Sequence, residues 1–499
     1  MKKIFVVFIG VLFSVNLFGQ NNEPFATHTF LVSSIKSVEA TTSGGSISVN
    51  GNANLEAVVE MFVSPSNNNS VSYSFFGRKR QNNCSDKEIG QILEEDYTIE
   101  IKVEDGKLYA VAKHKNRLEN QRIIISFKIS VPKQVSGNLQ ANYGNISVIN
   151  LNGSQTLKTG GGALTVQNVS GDIAGTTSHG NITVNNSDGS NIVLSSGGGR
   201  VTVTDCSGNT NIRTSHGNIR LINHVGDAKV TSGGGSLTVQ DVSGAIEGTT
   251  SHGNIIVTNL RGNTIDLSSG GGSVTVTDCS GATNMRTSHG NVRLTNHVGN
   301  IKVTSGGGAL TVESVSGAIE GTTSHGNITV TKLDGSNIVL NSGGGSITIT
   351  DCNGNSNVRT SHGAIRITNH VGSISANTGG GGVTANNIKG SLITQTSHGS
   401  MNLNDISGSL EATSSGGGII VTMQSVSKHV KLSTKSGTVN LTLPDANGYN
   451  LNVRGNNVNT SDLRNFSGKV ENNKLEGMIA NGGALIDVNT PHGVSLSFK

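Results

Sequence analysis

The chain lacks several features from which ordinary globular proteins build a core. Its 499 residues include no Trp, only 5 Pro and only 4 Cys, and aromatic residues make up 3%. Charged residues amount to 14%, with a net charge of +4 and both signs interspersed. Nucleic-acid binding requires a basic field of one sign, which is missing here, so we expect no nucleic-acid partner.

Long hydrophobic runs are also missing after the first twenty residues. The segment MKKIFVVFIGVLFSVNLFGQ places two Lys before an apolar run and a small residue, Gly19, near its end. This pattern is typical of a secretory signal peptide, which we expect to span residues 1–20. The run is too short for a transmembrane segment, and no later segment is apolar enough to be one. We therefore expect an exported protein in the periplasm, on the outer cell surface or secreted.

Glycine, by contrast, is abundant, with 68 residues placed at a strict period. Ser-His-Gly recurs seven times at steps of 36 or 37 positions, and Gly triplets recur at the same steps about half a step away. The repeating unit is therefore half of that step, and it has two alternating types. Three near-identical copies of a longer super-repeat run over 171–243, 244–316 and 317–389. Such regularity indicates a repeat architecture.

Within one unit the hydrophobic pattern has a period of two. In NIVLSSGGGRVTVTDCSG (191–208), aliphatic residues alternate with small polar ones on both sides of the Gly triplet. This pattern indicates strand, turn and strand, and a unit of this size can bury its apolar face only by stacking on its neighbours. We therefore predict an all-β fold, a parallel β-solenoid of ~18-residue coils, right-handed by the general rule for parallel crossovers.

The domain organisation follows from where the period holds. We expect an N-terminal β-rich cap domain at 21–140 with a short helix at 86–95, because aromatic and charged residues concentrate there. Solenoid coils are expected at 141–443 and C-terminal capping coils at 444–499. Caps are needed because bare sheet edges promote aggregation.

Three of the cysteines follow the repeat. Cys206, Cys279 and Cys352 occur once in each super-repeat and share a column with Val residues such as Val242. Four coils separate successive Cys, about 19 Å, which is too far for a disulfide. We interpret these residues as small buried hydrophobic side chains.

The repeated histidine occupies a turn position that holds Gly in every second coil. Positive φ would suit both residues there, and Ser178 and its equivalents could bond the turn backbone. Successive His lie two coils apart, about 9.6 Å, and no carboxylate or thiol completes a ligand set, so we expect no metal and no cofactor. Acid would soften the coils without switching a state. The turn histidines are His179, His216, His252, His289, His325, His362 and His398.

Outward-facing columns contain arginine at the same period. The column of Thr202 is mostly Thr, with Arg at every fourth coil, and a second Arg lies across the turn. Flat Thr ladders can bind ice, but a recurring cation argues against an ice-binding plane. Arg suits acidic glycans or phosphate, and a solubilising surface is the alternative. These arginines are Arg213, Arg220, Arg286, Arg293, Arg359 and Arg366.

Catalysis finds little support in the sequence. Asp205, Asp278 and Asp351 occur once in each super-repeat, whereas polysaccharide-cleaving solenoids need clustered carboxylates. Neighbours in sequence such as Ser178 and His179 are not by themselves a nucleophile and base, which need a third orienting group. We expect no catalytic residues.

Several segments together resemble a known family. They are DYTIEIKVEDGKLYAVAKHK, IIISFKISVPK, GNISVINLNG, TGGGALTVQNVSG and GGALIDVNTPHGVSLSF. The chain resembles exported bacterial proteins built from adhesin-type β-strand repeats, a domain family of unknown function, and the leader and Asn-rich composition resemble those of the Bacteroidota. The resemblance covers the mature chain and brings no binding residues with it.

Three functional hypotheses remain open. The first is a non-enzymatic adhesin that presents a repetitive face to glycans or other cell-surface components. The second is a periplasmic scaffold or sensory protein, and the third is a polysaccharide-acting enzyme. Oligomeric state does not follow from the sequence.

Overall fold

The computed structural model describes residues 23–31, 35–53, 56–66, 86–116, 122–445, 448–461 and 463–499. The predicted signal peptide and Cys84 lie outside these ranges. The chain divides into two units, residues 1–244 and 245–499. Each is a stack of parallel ~18-residue coils, which confirms the predicted all-β, parallel β-solenoid fold.

The first unit contains a helix and its own set of strands. The helix, α1 Asp86–Asp96, confirms the helix predicted at 86–95. The strands are β1 Ala26–Leu31, β2 Ser37–Thr42, β3 Ile47–Asn52, β4 Glu56–Pro65, β5 Tyr97–Glu104, β6 Lys107–His114, β7 Ile123–Pro132, β8 Ser136–Ala141, β9 Ile146–Leu151, β10 Gln155–Thr159, β11 Leu164–Val169, β12 Ile173–Thr177, β13 Ile182–Ser196, β14 Val201–Thr214, β15 Ile219–Val225, β16 Ala228–Ser232 and β17 Leu237–Ser243.

The second unit continues the same alternation of strands and turns. Its strands are β18 Ile246–Thr250, β19 Ile255–Ser269, β20 Val274–Thr287, β21 Val292–Val298, β22 Ile301–Ser305, β23 Leu310–Ser316, β24 Ile319–Thr323, β25 Ile328–Ser342, β26 Ile347–Thr360, β27 Ile365–Val371, β28 Ile374–Thr378, β29 Val383–Lys389, β30 Leu392–Thr396, β31 Met401–Ser414, β32 Ile419–Thr434, β33 Val439–Leu443, β34 Tyr449–Arg454, β35 Asn457–Thr460, β36 Phe466–Glu471, β37 Lys474–Ile479, β38 Ala484–Asn489 and β39 Gly493–Phe498.

A single coil shows why the sequence folds this way. In β14, side chains alternate between the interior and the surface until Asp205, whose backbone is left-handed with φ 54°. This residue shifts the alternation by one, so that the next residue, Cys206, points inward. Asn and Asp tolerate this conformation better than most residues, and they dominate the equivalent corner of other coils. The chain then runs through a second leg and closes at the turn 215–218.

The register explains the length of the super-repeat. Val201 pairs with Ile219 in the next coil, whereas Ile182 pairs with Val201, so the coil that starts at Ile182 is longer by one residue. The extra residue lies at the corner where the β13–β14 register shifts, between Asp188 and Asn191. Equivalent shifts occur at Arg261–Thr264 and Asp334–Asn337. Three shorter coils and one longer coil therefore make up each super-repeat.

The interior is an aliphatic ladder with few polar positions. Val201, Ile219 and Leu237 form one buried column, and Ile212 and Val230 belong to another. Burying Val, Leu and Ile side chains contributes roughly 1.5–3 kcal/mol each. Because the column continues from coil to coil, each coil depends on its neighbours for its buried surface.

The parallel ladder of the first unit reaches into the segment assigned from sequence to an N-terminal cap at 21–140. Strands β2 and β3 pair in parallel with β8 and β9, and on their other side with β6 and β7. Residues 41–49, TTSGGSISV, carry the same turn sequence as the solenoid coils, which explains why they stack with them. Strands β4 and β5 run antiparallel along β7 and β6 and cover that end of the stack.

The second unit ends with a similar covering strand. Strands β38 and β39 stack in parallel on β32 and β33, and β34 and β35 follow outside them. Strand β37 runs antiparallel to β34 and pairs with β36. Reversing the strand direction at the end of a stack removes a parallel edge that could template further addition.

Two adjacent glycines of a turn should respond differently to substitution by Ala. A Cβ on Gly199 would overlap the carbonyl oxygen of Gly180 in the preceding coil, whereas at Gly198 the nearest protein atoms lie 4.0 Å away. We expect Gly199→Ala to lower the free energy of unfolding by about 1–3 kcal/mol, since a crowded backbone must move. Gly198→Ala should change it by less than about 0.5 kcal/mol. Chemical denaturation of both variants checks this, and equal effects would contradict the proposed close packing.

Candidate functional site

The turn that contains the repeated His is held from inside by a buried hydroxyl. The Thr214 side chain is 2% exposed, and its Oγ1 accepts a hydrogen bond from the Gly217 N–H at 3.1 Å. The same hydroxyl donates to the Gly199 carbonyl of the preceding coil at 3.3 Å. Ser232 repeats both bonds one coil further, to the Gly235 N–H and the Gly217 carbonyl. One buried Thr or Ser therefore ties each turn to its own glycine and to the turn before it.

This arrangement corrects two predictions about the turn. The sequence suggested that Ser178 bonds the turn backbone, but Thr177, one residue earlier, bonds the Gly180 N–H and the Gly162 carbonyl. Thr177 points inward because it continues the alternation of β12, whereas Ser178 is exposed. Positive φ was expected at the His position, yet His216 and Gly198 have none. Left-handed residues lie at the opposite corner of the coil instead.

All seven turn histidines are exposed on the surface. Their position admits a side chain because a Cβ at Gly198 would lie 4.0 Å from the nearest atoms of the preceding coil, an ordinary van der Waals distance. Two of the rings reach back over the preceding glycine turn, with His362 Nδ1 3.4 Å from the Gly343 carbonyl and His398 Nδ1 3.3 Å from that of Gly379. Among the described residues, no group of three or more His, Cys, Asp or Glu side chains could hold a metal ion.

The six predicted arginines flank three of these turns. In each RTSHG turn, one Arg is the last residue but one of the strand before the turn and the other is the second residue of the strand after it, as Arg213 and Arg220 are around His216. We call each set an Arg-His-Arg corner. The first unit has one corner, and the second unit has two, around His289 and His362. All six arginine side chains are exposed, so each corner presents three basic groups to solvent.

One of the three corners is partly neutralised. Arg293 lies 3.5 Å from the Glu313 carboxylate, with both side chains substantially exposed. The other corners have Gln240 and Asn386 at the position of Glu313. Exposed pairs of this kind contribute about 0–1 kcal/mol to stability, so Arg293 stays available to a ligand that competes for it.

The left-handed residues, on the opposite side of each coil from the His turn, form a ladder of hydrogen-bonded Asn and Asp side chains. Asn186 Nδ2 donates to Asn168 Oδ1 at 2.6 Å, and Asn168 Nδ2 donates to Asn150 Oδ1 at 2.9 Å. Where the corner residue is Asp205, the next coil supplies Asn223 as its donor. These bonds stabilise the left-handed corner and line a shallow polar groove along the first unit.

The interior contains a polar group that sequence reasoning missed. The cysteine column holds His224, His297 and His370 directly after Cys206, Cys279 and Cys352, so a His separates each Cys from the next Val or Ile. All three histidines are at most 1% exposed. The period-two pattern concealed them, because each left-handed corner residue shifts the alternation by one. The repeated motif NHVG was the available signal.

The buried rings have one bonded nitrogen and one without a partner. His297 Nε2 donates to the Gly281 carbonyl at 2.9 Å, and His370 Nε2 donates to that of Gly354 at 2.8 Å. The Thr283 hydroxyl lies 3.2 Å from His297 Nε2. In all three histidines the Nδ1 atom is buried and has no hydrogen-bond partner. A carbonyl can only accept, so in His297 and His370 the geometry fixes the neutral tautomer that carries its proton on Nε2.

The cysteines behave as predicted in this part of the chain. Cys206, Cys279 and Cys352 are buried and free, and burial raises the pKa of each thiol. Cys206 Sγ donates to the Thr204 carbonyl at 3.1 Å. A buried thiol with a raised pKa is unreactive, so these residues pack as small hydrophobic side chains.

Comparison of the chain with known protein families supports the predicted fold. A family model described as Toastrack DUF4097 matches residues 324–494, which include most of the third super-repeat copy and the C-terminal coils. It describes a domain of unknown function with a β-helix-like fold. No curated protein and no solved structure matches the chain. No helix in the described ranges is long and apolar enough to cross a membrane.

The buried histidines predict loss of stability in acid. Burial lowers the pKa of His224, His297 and His370 below the ordinary value of 6.5. The unfolded chain therefore binds more protons than the folded one below about pH 6.5, and the free energy of unfolding falls as the pH drops through that range. Above it, these residues contribute no pH dependence. Thermal melting between pH 5 and 8 measures the effect.

A variant that tests this prediction replaces His224, His297 and His370 by Val, the residue that occupies position 242 of the same column. Its melting temperature should depend less on pH than that of the wild type, because the variant lacks the three buried histidines. Carboxylate titration is common to both proteins and does not affect the comparison. Replacing three exposed turn histidines by Gly, the residue of alternate coils, should leave the wild-type slope. Equal slopes in the wild type and the Val variant would contradict the assignment.

Proposed function

We propose that the protein is an exported, non-enzymatic adhesin whose Arg-His-Arg corners bind acidic glycans or other anionic cell-surface components. The observation that carries the proposal is the recurrence of three exposed basic side chains at the same turn of near-identical repeats. The fold requires only the buried hydroxyl and the closing glycine at this turn. The exposed Arg and His residues are therefore free to serve a ligand.

The chemistry of the corner suits an anionic polymer. A guanidinium is always charged and binds carboxylate, sulfate or phosphate oxygens through paired N–H groups. Within the described chain, Arg220 and Arg366 make no ion pair, so their charge is available.

Repetition strengthens a contact that is weak by itself. Within the second unit, the corners around His289 and His362 are four coils apart, about 19 Å at the spacing of stacked strands. A long polyanion could occupy both, and the second contact would then form at a high effective concentration. The proposal therefore favours a polymeric ligand over a small one.

Avidity predicts how binding falls as corners are removed. Replacing both arginines of one corner in the second unit by Gln should weaken binding of the full chain to a long acidic glycan by about tenfold or more. Replacing those of both corners should weaken it further, while a short fragment of the same glycan loses little in the first step. Biolayer interferometry on glycan-coated tips measures these affinities.

A charge-matched control separates corner binding from general attraction. Lys332 and Lys389 are exposed cations of the same unit away from the corners. A Lys332→Gln, Lys389→Gln variant has the same charge as the single-corner variant and should bind nearly as well as the wild type. Equal losses in the two variants would overturn the assignment to the corners.

Export is tested separately on living cells. An antibody against the solenoid, used after brief protease treatment of intact cells, reports whether the coils are accessible from outside. The adhesin proposal predicts cleavage on intact cells. Protection until the outer membrane is opened would refute an adhesive role and favour the periplasmic scaffold.

A further inference from the structure

One residue breaks the repeat on the outward face of the first unit. Position 200 is Arg in the first super-repeat copy, whereas the equivalent positions 273 and 346 are Ser. The flanking residues are nearly the same in all three copies, as GGGRVTVTDC, GGGSVTVTDC and GGGSITITDC show. A large cation in place of a small hydroxyl is therefore a local departure that the fold does not require.

Arg200 lies beside a second arginine. Thr202 pairs directly with Arg220 in the next coil, and Arg200 precedes Thr202 by two residues on the same leg. Strand spacing and rise place the two arginine Cα atoms about 8 Å apart. Side chains as long as Arg converge readily over such a distance.

The two arginines line one shallow depression in the surface. Its other polar lining includes the hydroxyls of Thr202, Thr204, Ser236 and Thr238, all on half-buried side chains. No Asp or Glu belongs to the lining. Neither Arg200 nor Arg220 makes an ion pair within the described residues. The depression thus offers two guanidinium groups without ion pairs and the hydroxyls of three threonines, with no carboxylate in its lining.

The corresponding place in the second copy is different. There Ser273 replaces Arg200, Ala309 replaces Ser236, and Arg293 is engaged by Glu313 at 3.5 Å. The first copy has Gln240 where the second has Glu313. The free pair of arginines is therefore a property of the first copy.

The geometry points to a binding site for a tetrahedral oxyanion, a sulfate or phosphate group, in this depression. We call it the Arg200–Arg220 site. One guanidinium satisfies two oxygens of a planar carboxylate, whereas two guanidinium groups with surrounding hydroxyls can serve the three or four oxygens of a sulfate or phosphate. The site shares Arg220 with the corner around His216, but it requires Arg200, which the other two copies lack, and its test does not depend on the proposed adhesive function.

The experiment uses the purified full chain at low ionic strength and isothermal titration calorimetry. The probes are inorganic sulfate, inorganic phosphate, a sulfated dextran oligosaccharide and unmodified dextran. Arg200→Ser installs the residue of the other two copies, so the variant keeps a turn known to fold. We expect it to weaken binding of inorganic sulfate and phosphate at least about tenfold. Lys158→Ser, an exposed cation elsewhere in the same unit, should leave binding unchanged.

A gain of binding gives the complementary test. Ser273→Arg combined with Glu313→Gln rebuilds the pair of free arginines in the second copy, and we expect the stoichiometry for inorganic sulfate to rise from one site to two. Binding of inorganic ions alone identifies a site for the free anion, and stronger binding of the sulfated oligosaccharide identifies an ester on a glycan. Both results support the site.

Three results would overturn the inference. They are the absence of sulfate and phosphate binding in the wild type, equal losses in Arg200→Ser and Lys158→Ser, and equally tight binding of a polyuronate that carries only carboxylates. None of them affects the adhesive proposal, whose test uses the corners of the second unit.

Discussion

The rest of the structure depends on one buried hydrogen-bonded contact, that of the Thr or Ser hydroxyl before each exposed turn. Thr214 shows its two roles, accepting from the Gly217 N–H of its own coil and donating to the Gly199 carbonyl of the coil before. Leaving a buried polar group without a partner costs about 1–3 kcal/mol, so the hydroxyl removes that penalty at every turn. Because the bond joins successive coils, it also fixes their register, and with the register it fixes the alignment of the aliphatic columns.

This internal fixation leaves the outside of the turn free to vary. The first and closing glycines of the triplet, Gly197 and Gly199, are constrained by carbonyls of the coil before them, whereas a Cβ at Gly198, the position equivalent to His216, would make only ordinary van der Waals contact. Because the super-repeat is four coils long, a side chain at the position of His216, or on a strand beside that turn, recurs at the same place in every fourth coil. The Arg-His-Arg corners and the Arg200–Arg220 site are both consequences of this division between a constrained interior and an unconstrained surface.

The sequence was most informative where it repeats. Period-two hydrophobicity and constant spacing were sufficient to predict the parallel coils, and the short helix at 86–95 was also found. Other features failed for identifiable reasons. The buried His224 was missed because the left-handed Asn223 before it shifts inward and outward positions by one. The turn bond was assigned to Ser178 instead of Thr177 because sequence alone does not show which neighbour points inward. The coil at 37–52 was hidden by the insertion that follows it, although TTSGGSISV carried the turn signal.

The most direct test of the buried hydroxyl's role is hydrogen exchange on Thr214→Val and Thr214→Ser variants of the full chain, read by mass spectrometry. Val keeps the shape of the side chain and removes both hydrogen bonds, whereas Ser, the residue of the next coil at position 232, keeps them. We predict faster exchange in peptides that cover the turns at 197–199 and 215–217 for the Val variant, with a destabilisation of about 1–3 kcal/mol, and near wild-type protection for the Ser variant. Equal protection in the two variants would contradict the claim that the buried hydroxyl holds the turns together.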